Sequence, residues 1–433
     1  MTIQNKIKIN APERRFRVTR RRVLAAVLLL VAALMLIQGN RALSADVTTI
    51  LTLEPGAVEN VPHIVVPTLT YMNVTALVFL VAGVLGMIEL PQLNRWTNGL
   101  MIVSGIIFIP TVLIIAAAGD STNITTMIAE SLRLATPIAI GAMAGLWCER
   151  SGVINIAIEG MMLFGACFGF TAFFYLRDIF PSEQMGFVML VSVLVAVLSG
   201  GLAALLHAWL SITFRTDQIV SGTVINILAV GVTSFIRREF LLSTEAGTEK
   251  LPNISIPILS EIPIIGDAIF NNQPIFYMMF VVIIVSHIVL FYTRWGLRTR
   301  SVGEEPSAAD TLGINVNRMR WRNVFIGGLI AGLAGAWFSL EATGRFNDGM
   351  TRGAGFIALA ALIFGKWTPF GAFAGAMLFG FSDALGTRFQ IIDVPVPVQW
   401  LQMVPYIVTI VVLAGLVGRA FPPKAIGQPY VKD

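Results

Sequence analysis

Long apolar stretches broken by short polar ones dominate the chain. A helix of about 20 apolar residues spans the roughly 30 Å hydrocarbon core of a bilayer. Runs of this kind fall at 23–39, 64–89, 99–118, 126–147, 153–176, 186–213, 218–236, 274–293, 322–341, 354–366, 369–386 and 400–418. The pattern predicts an all-α, polytopic transmembrane helical bundle of about 12 spans with short loops. The run 354–366 is short, and Pro369 favours a tight hairpin into the next one. The first run has a second reading. Its basic flank, apolar stretch Val23–Ile37 and Ala42-Leu43-Ser44 have the layout of a secretory signal and cleavage site. Cleavage would leave 11 spans, whereas the long tail and long apolar run fit an uncleaved anchor. The chain is thus divided into a basic tail (1–22), an extra span with an external segment (23–63), a transmembrane domain (64–420) and a second tail (421–433).

Composition excludes an ordinary soluble domain. Of 433 residues, 56% are hydrophobic and 13% charged, against about 25% charged in a typical globular domain. Mean hydropathy is +0.78. The net charge of +5 is explained by its placement. With a cytoplasmic N-terminus and every span crossing, 21 of the 30 Lys and Arg fall inside and 8 outside, with Arg133 in a span. Positive residues collect on the cytoplasmic side, so both termini are expected there in a multi-pass plasma (inner) membrane protein. The stretch RRFRVTRRR then faces anionic lipid rather than nucleic acid.

Candidate chemistry is sparse. Cys148 and Cys167 form no CxxC pair, and His63, His207 and His287 are scattered, so no metal spacing and no cofactor motif is present. Both cysteines read as small core residues, and His207 and His287 as structural. No phosphate-binding loop, H-E-x-x-H or G-x-S-x-G occurs. The chain therefore carries no recognisable ATP site and no catalytic residue. Glu130 and Arg133 read as a local pair, and Glu341 and Asp383 as interfacial groups at span ends.

Three segments depart from plain membrane helix. In LWCERSGVINIAIEG, a charged turn (149–152) precedes Asn155 and Glu159, four apart and so on one face of the next helix. A carboxylate inside a span faces protein or water. Both residues are candidate path-lining groups, with helix packing as the alternative, and Asn226 and Phe356 complete the candidate path. The second segment, Arg294–Arg322, is the longest internal cytoplasmic loop. Glu304-Glu305-Pro306 suits a helix start and Gly313 a helix end, which predicts a two-turn helix. So short a helix is unstable alone. It needs lipid, its own protein or a partner to dock on. The third segment, Gly344–Phe370, is glycine-rich at its start. That is a way to build a broken helix around a site, or an external loop with tight turns. Small residues spaced by four (Gly141/Gly145, Gly165/Gly169, Gly328/Gly332, Gly371/Gly375) predict close helix packing.

At these segments the chain resembles the membrane permeases of bacterial ABC importers for simple sugars, nucleosides and branched-chain amino acids. Its nearest likeness is to the nucleoside branch that works with basic-membrane-protein-type lipoproteins. The stretches carrying this are ERSGVINIAIEGMML (149–163), GLRTRSVGEEPSAADTLGINVNRMR (296–320) and GAGFIALAALIFGKWTPFGAFAGAMLFGFSDAL (353–385). The resemblance covers roughly 125–420. It implies import of a nucleoside or simple sugar by alternating access, ATP being hydrolysed on a separate cytoplasmic ABC ATPase. It also implies a second, non-identical permease subunit and an external solute-binding lipoprotein. The coupling helix that docks the ATPase would comprise Gly303, Glu304, Glu305, Pro306, Ala309, Asp310, Leu312 and Gly313, flanked by Arg298 and Arg300. Alternatives are the same machine carrying a branched-chain amino acid or another small polar metabolite, and an ion-coupled secondary transporter with Glu159 in its relay.

Overall fold

In the computed structural model, residues 19–53, 63–88, 91–241, 249–262, 266–391, 403 and 421–432 are described. They fall into two compact units, one built from 19–49 and 66–119 and the other from the remainder.

The first unit holds α1 (Arg20–Leu34), α2 (Thr68–Ile88) and α3 (Asn94–Ala116). Helix α1 runs on through a π turn to Ala42. Its inner face is small: a Cβ on Gly86 would sit 2.8 Å from that of Ala25. The amides of Asn40 and Asn73 bond each other in both directions, at 2.9 and 3.0 Å. Helix α3 bends by 40° around Pro110, where proline removes a helix donor and crowds the preceding turn.

The second unit begins with a short parallel pairing of β1 (Thr48–Thr52) and β2 (Ser121–Asn123) in the register Ile50 to Ser121. Its helices are α4 (Ile124–Glu149), α5 (Ile158–Arg177), α6 (Met185–Ala208) and α7 (Gln218–Ile236). Then come α8 (Pro274–Tyr292), α9 (Arg294–Glu304), α10 (Pro306–Thr311), α11 (Val316–Ala336), α12 (Ala354–Phe364) and α13 (Pro369–Ile391).

Among the described residues, eight helices are long and apolar enough to cross a membrane, or nine if bent α3 counts as one. Three expectations change. Helix α5 starts at Ile158, not 153, because 151–157 is not helical. Helix α12 has 11 residues. At 1.5 Å per residue it rises about 16 Å, half a span. The Arg294–Arg322 segment is helical over most of its length rather than a loop. The expected span 400–418 lies outside the described residues, Met403 apart.

Glycine fixes the core. Helix α11 is pressed between α5 and α6: a Cβ on Gly332 would stand 2.3 Å from the carbonyl oxygen of Ala196, and one on Gly335 only 2.0 Å from that of Met162. No side chain fits there, so backbone meets backbone, and the expected small-residue packing is realised. Cys148 and Cys167 are buried and free, as core residues. Glu130 and Arg133 pair at 3.2 Å. Glu341 lies at a span end but is buried against protein. It is 1% exposed, and its carboxylate accepts the Ile275 N–H at 2.8 Å, which caps the start of α8.

Candidate functional site

The site forms where two broken segments meet. Helix α4 ends at Glu149, and Gly152 (φ +89°) turns the chain into non-helical backbone. A bare backbone inside a membrane bundle must find its partners in protein, and residues distant in sequence supply them. The Ile154 N–H donates to Gln218 Oε1 at 2.7 Å. The Ile154 carbonyl pairs with His207 Nε2 at 2.9 Å, and His207 Nδ1 pairs with Ser221 Oγ at 3.2 Å. Asn226 bridges the start of α5, donating to the Ile156 carbonyl at 3.0 Å and accepting from the Gly160 N–H at 2.8 Å. His207 is thus structural, as expected.

Glu159 follows in the first turn of α5 and points at the start of α12. Its Oε1 accepts from Thr351 Oγ1 at 2.6 Å and the Gly353 N–H at 2.8 Å. Its Oε2 accepts from the Gly355 N–H at 2.7 Å. The first N–H groups of a helix lack intrahelical partners and carry positive partial charge. Here the chain's own carboxylate occupies that anion position. The two helix starts nearly touch: a Cβ on Gly355 would lie 2.5 Å from the Glu159 nitrogen.

Depth follows from helix lengths. From Gly353 to the far end of α12 is about 16 Å, and from Gln218 up α7 to Asn226 about 12 Å. With those helix ends at the boundary of a hydrocarbon layer about 30 Å thick, the junction would sit near its middle.

The sequence-derived path residues now have positions. Asn155 and Glu159 do not share a helix face, because Asn155 lies in the non-helical stretch. Asn155 is 0% exposed, its amide nitrogen touching Cys148 Sγ (3.3 Å) and Met161 Sδ (3.6 Å). Its Oδ1 has no partner among the described residues. Glu159 and Asn226 both belong to the junction, with their polar groups taken up by the protein. Phe356, on the first turn of α12, is 48% exposed.

At the other end of α12 a second junction holds the α4 turn. Arg150 donates from Nε and Nη2 to the Trp367 carbonyl, at 2.9 and 2.5 Å, and the Trp367 indole N–H donates to Glu149. Burial pulls the Arg150 guanidinium below its ordinary pKa, and Glu304 pushes it back up. Arg320 Nε donates to the Ser151 carbonyl at 3.1 Å. Gln218, His207, Thr351, Arg320 and Trp367 escape sequence reasoning as site-building residues. Only the Gly365-Lys366-Trp367 turn hints at one of them.

The coupling-helix residues fall on two helices, not one. Glu304 ends α9, Glu305 is non-helical (φ −147°, ψ 85°), and the short helix starts at Pro306. Proline at N1 and Gly313 (φ +82°) past the end match the expected signals. Ala309 is buried, while Leu312 is 81% exposed.

Comparison with known proteins agrees with this architecture. Residues 127–413 match the family described as branched-chain amino acid transport system / permease component. The guanosine ABC transporter permease protein NupQ of Bacillus subtilis is 41% identical, over 71% of this chain and 97% of its own length. The nucleoside ABC transporter permease protein NupC of Lactococcus lactis is 39% identical, over 71% and 97%. A putative glucose ABC transporter permease protein of Haloferax volcanii is 32% identical, over 70% and 96%. No solved structure gives a significant match. The helical bundle, its two broken segments and a family match across most of the second unit together make this chain a member of the branched-chain amino acid transport system / permease component family, the membrane-spanning permeases of ABC importers.

Proposed function

We propose that this permease carries nucleosides inward, with the end of the bundle bearing Arg150, Trp367 and α10 facing the cytoplasm. The observation that carries the cargo reading is the pair of guanosine and nucleoside permeases, each matched over 97% of its length. A mid-depth junction bounded by an exposed aromatic ring supports it. A nucleobase stacks on aromatic faces, and Phe356 presents such a face beside the start of α12. Glu159 and Asn226 shape the path by holding α5, α7 and α12 in register rather than by contacting cargo. The ion-coupled alternative loses its relay group, since both Glu159 oxygens are engaged by three donors.

In this reading α10 is the coupling helix, and Leu312 is the apolar knob that an ATPase subunit covers. The complex includes that ATPase, a second permease and an external solute-binding lipoprotein. The test is uptake by proteoliposomes holding the complete complex, offered labelled guanosine, glucose or leucine. Guanosine should accumulate and be outcompeted by other nucleosides. Accumulation of glucose or leucine without guanosine would overturn the cargo assignment. Phe356→Ala should raise the half-saturating guanosine concentration at least fivefold, while Phe356→Tyr should leave it within twofold.

A further inference from the structure

Residues 421–432 lie along the corner formed by α9 and α10. The Ala425 N–H donates to the Gly303 carbonyl (2.9 Å) and the Gly427 N–H to the Gly152 carbonyl (3.0 Å). Arg320 Nη1 donates to the Gln428 carbonyl at 2.8 Å. The Lys424 N–H reaches Glu304 Oε2 at 3.4 Å, and Lys432 pairs with Asp310 at 3.3 Å. The Tyr430 ring, 9% exposed, packs with Val302, Ala309, Val316 and Met319.

These contacts straddle a weak point. Glu305 breaks the helix between α9 and α10. A six-residue helix has no stability of its own, and α10 buries little besides Ala309. A force applied to α10 alone would bend the chain at Glu305 instead of moving α9. The segment 421–432 grips both sides of that break: Gly303 and Glu304 before it, Ala309 and Asp310 after it. A cavity of about 350 Å³ lies between break and segment, lined by Glu305, Pro306, Ser307, Lys424 and Gln428 among others. Beyond the break, α9 bears directly on the α4 turn, since a Cβ on Gly303 would stand 2.3 Å from the Arg150 carbonyl oxygen. From there the contacts pass through Trp367 along α12 to Glu159.

We propose that 421–432 is a strap that stiffens the Glu305 break, so that movement of an ATPase bound to α10 is delivered to the Arg150–Trp367 junction and α12. The strap rests on the coupling-helix reading, and its test separates the two. In the complete transporter, a chain ending after Pro423 should still co-purify its ATPase and hydrolyse ATP at the basal rate. The stimulation of hydrolysis by loaded binding protein should be lost. Uptake of whichever of guanosine, glucose and leucine the intact complex accumulates should fall at least tenfold. Tyr430→Ala keeps the backbone bonds of the strap and should show the same signature with a three- to tenfold loss. It decides the matter if the shortened chain does not accumulate in membranes. Wild-type stimulation and uptake within twofold in either variant would overturn the strap. So would loss of the ATPase from the complex, which would make the segment part of the dock. Leu312→Glu, with strap intact, tests the docking reading separately: an ATPase that still binds this variant refutes the coupling helix and leaves the strap measurement standing.

Discussion

Glu159 is the sharpest test of whether the mid-depth junction is architecture or path. Glu159→Ala removes the acceptor for Thr351 Oγ1, the Gly353 N–H and the Gly355 N–H at once. Hydrogen bonds to a charged group contribute about 1.5–3 kcal/mol each, and the donors left behind are in a partly buried place. Membrane proteins recover part of such losses through substitute partners, with measured pairs averaging about 0.6 kcal/mol. Three coupled bonds therefore amount to roughly 2–6 kcal/mol, because neighbouring effects do not add. Glu159→Gln has nearly the same shape. Its carbonyl oxygen can serve Thr351 and Gly353, but its amide NH2 then faces the Gly355 N–H, donor against donor. It should cost about one charged bond, roughly 1.5–3 kcal/mol. Glu159→Asp stops one methylene short and should fall between Gln and Ala. The assay is equilibrium unfolding of the purified permease in detergent, run alongside uptake. The expected order of stability is Glu, Gln, Asp, Ala, with uptake following it. If Glu159→Ala unfolds with the wild-type midpoint while uptake collapses, the carboxylate acts on cargo or ions and its role as a cap is refuted.

Four further changes probe separate parts of the design. Gly332→Val should abolish accumulation of folded protein, since its Cβ would meet the Ala196 carbonyl at 2.3 Å. Overpacking against backbone costs at least 1–3 kcal/mol. Gly231→Ala, where nothing lies within 4 Å, should be neutral or slightly stabilising in the same expression assay. Asn226→Leu strands the Ile156 carbonyl and the Gly160 N–H. About 1–3 kcal/mol for each unsatisfied group predicts a loss of roughly 2–5 kcal/mol in unfolding experiments. Arg150→Lys cannot donate twice to the Trp367 carbonyl as the guanidinium does. It should keep the fold but lower uptake severalfold, and uptake equal to wild type would show that this grip is dispensable.

The sequence displayed the features set by local pattern. Apolar runs located the long helices to within a few residues, and glycines four apart marked where α5, α6 and α11 close on one another. Proline and glycine bracketed α10. The failures share a cause. The i, i+4 spacing with Glu159 predicts a shared helix face for Asn155. The backbone there is not helical, and what allows this is Gln218, His207 and Asn226, more than 50 residues away. Glu304 was assigned to the short helix since Glu-Glu-Pro is a good helix start. The longer helix before it claims Glu304 instead, so the proline marks a break between two helices. Segment 421–433 reads as a tail because nothing in its composition reveals that Gly152, Gly303 and Arg320 bind its backbone.

The two junctions together constrain how the bundle can move. Helix α12 is held at its start by Glu159 and at its end by Arg150, two residues that flank the same non-helical stretch. That stretch is in turn tied along its length to α6 and α7 by His207 and Gln218. A hinge at Gly353 would have to break two bonds to a carboxylate, and a hinge at Trp367 both bonds from Arg150. Either step costs several kcal/mol by the magnitudes above. Turning α12 together with residues 149–159 breaks none of these bonds. In the proposed alternating access, 149–159 and α12 would move as one body, with the displacement taken up at apolar surfaces. The exposed faces of α7, with Val220, Val224 and Ile227, and of α12, with Phe356 and Ile363, are such surfaces.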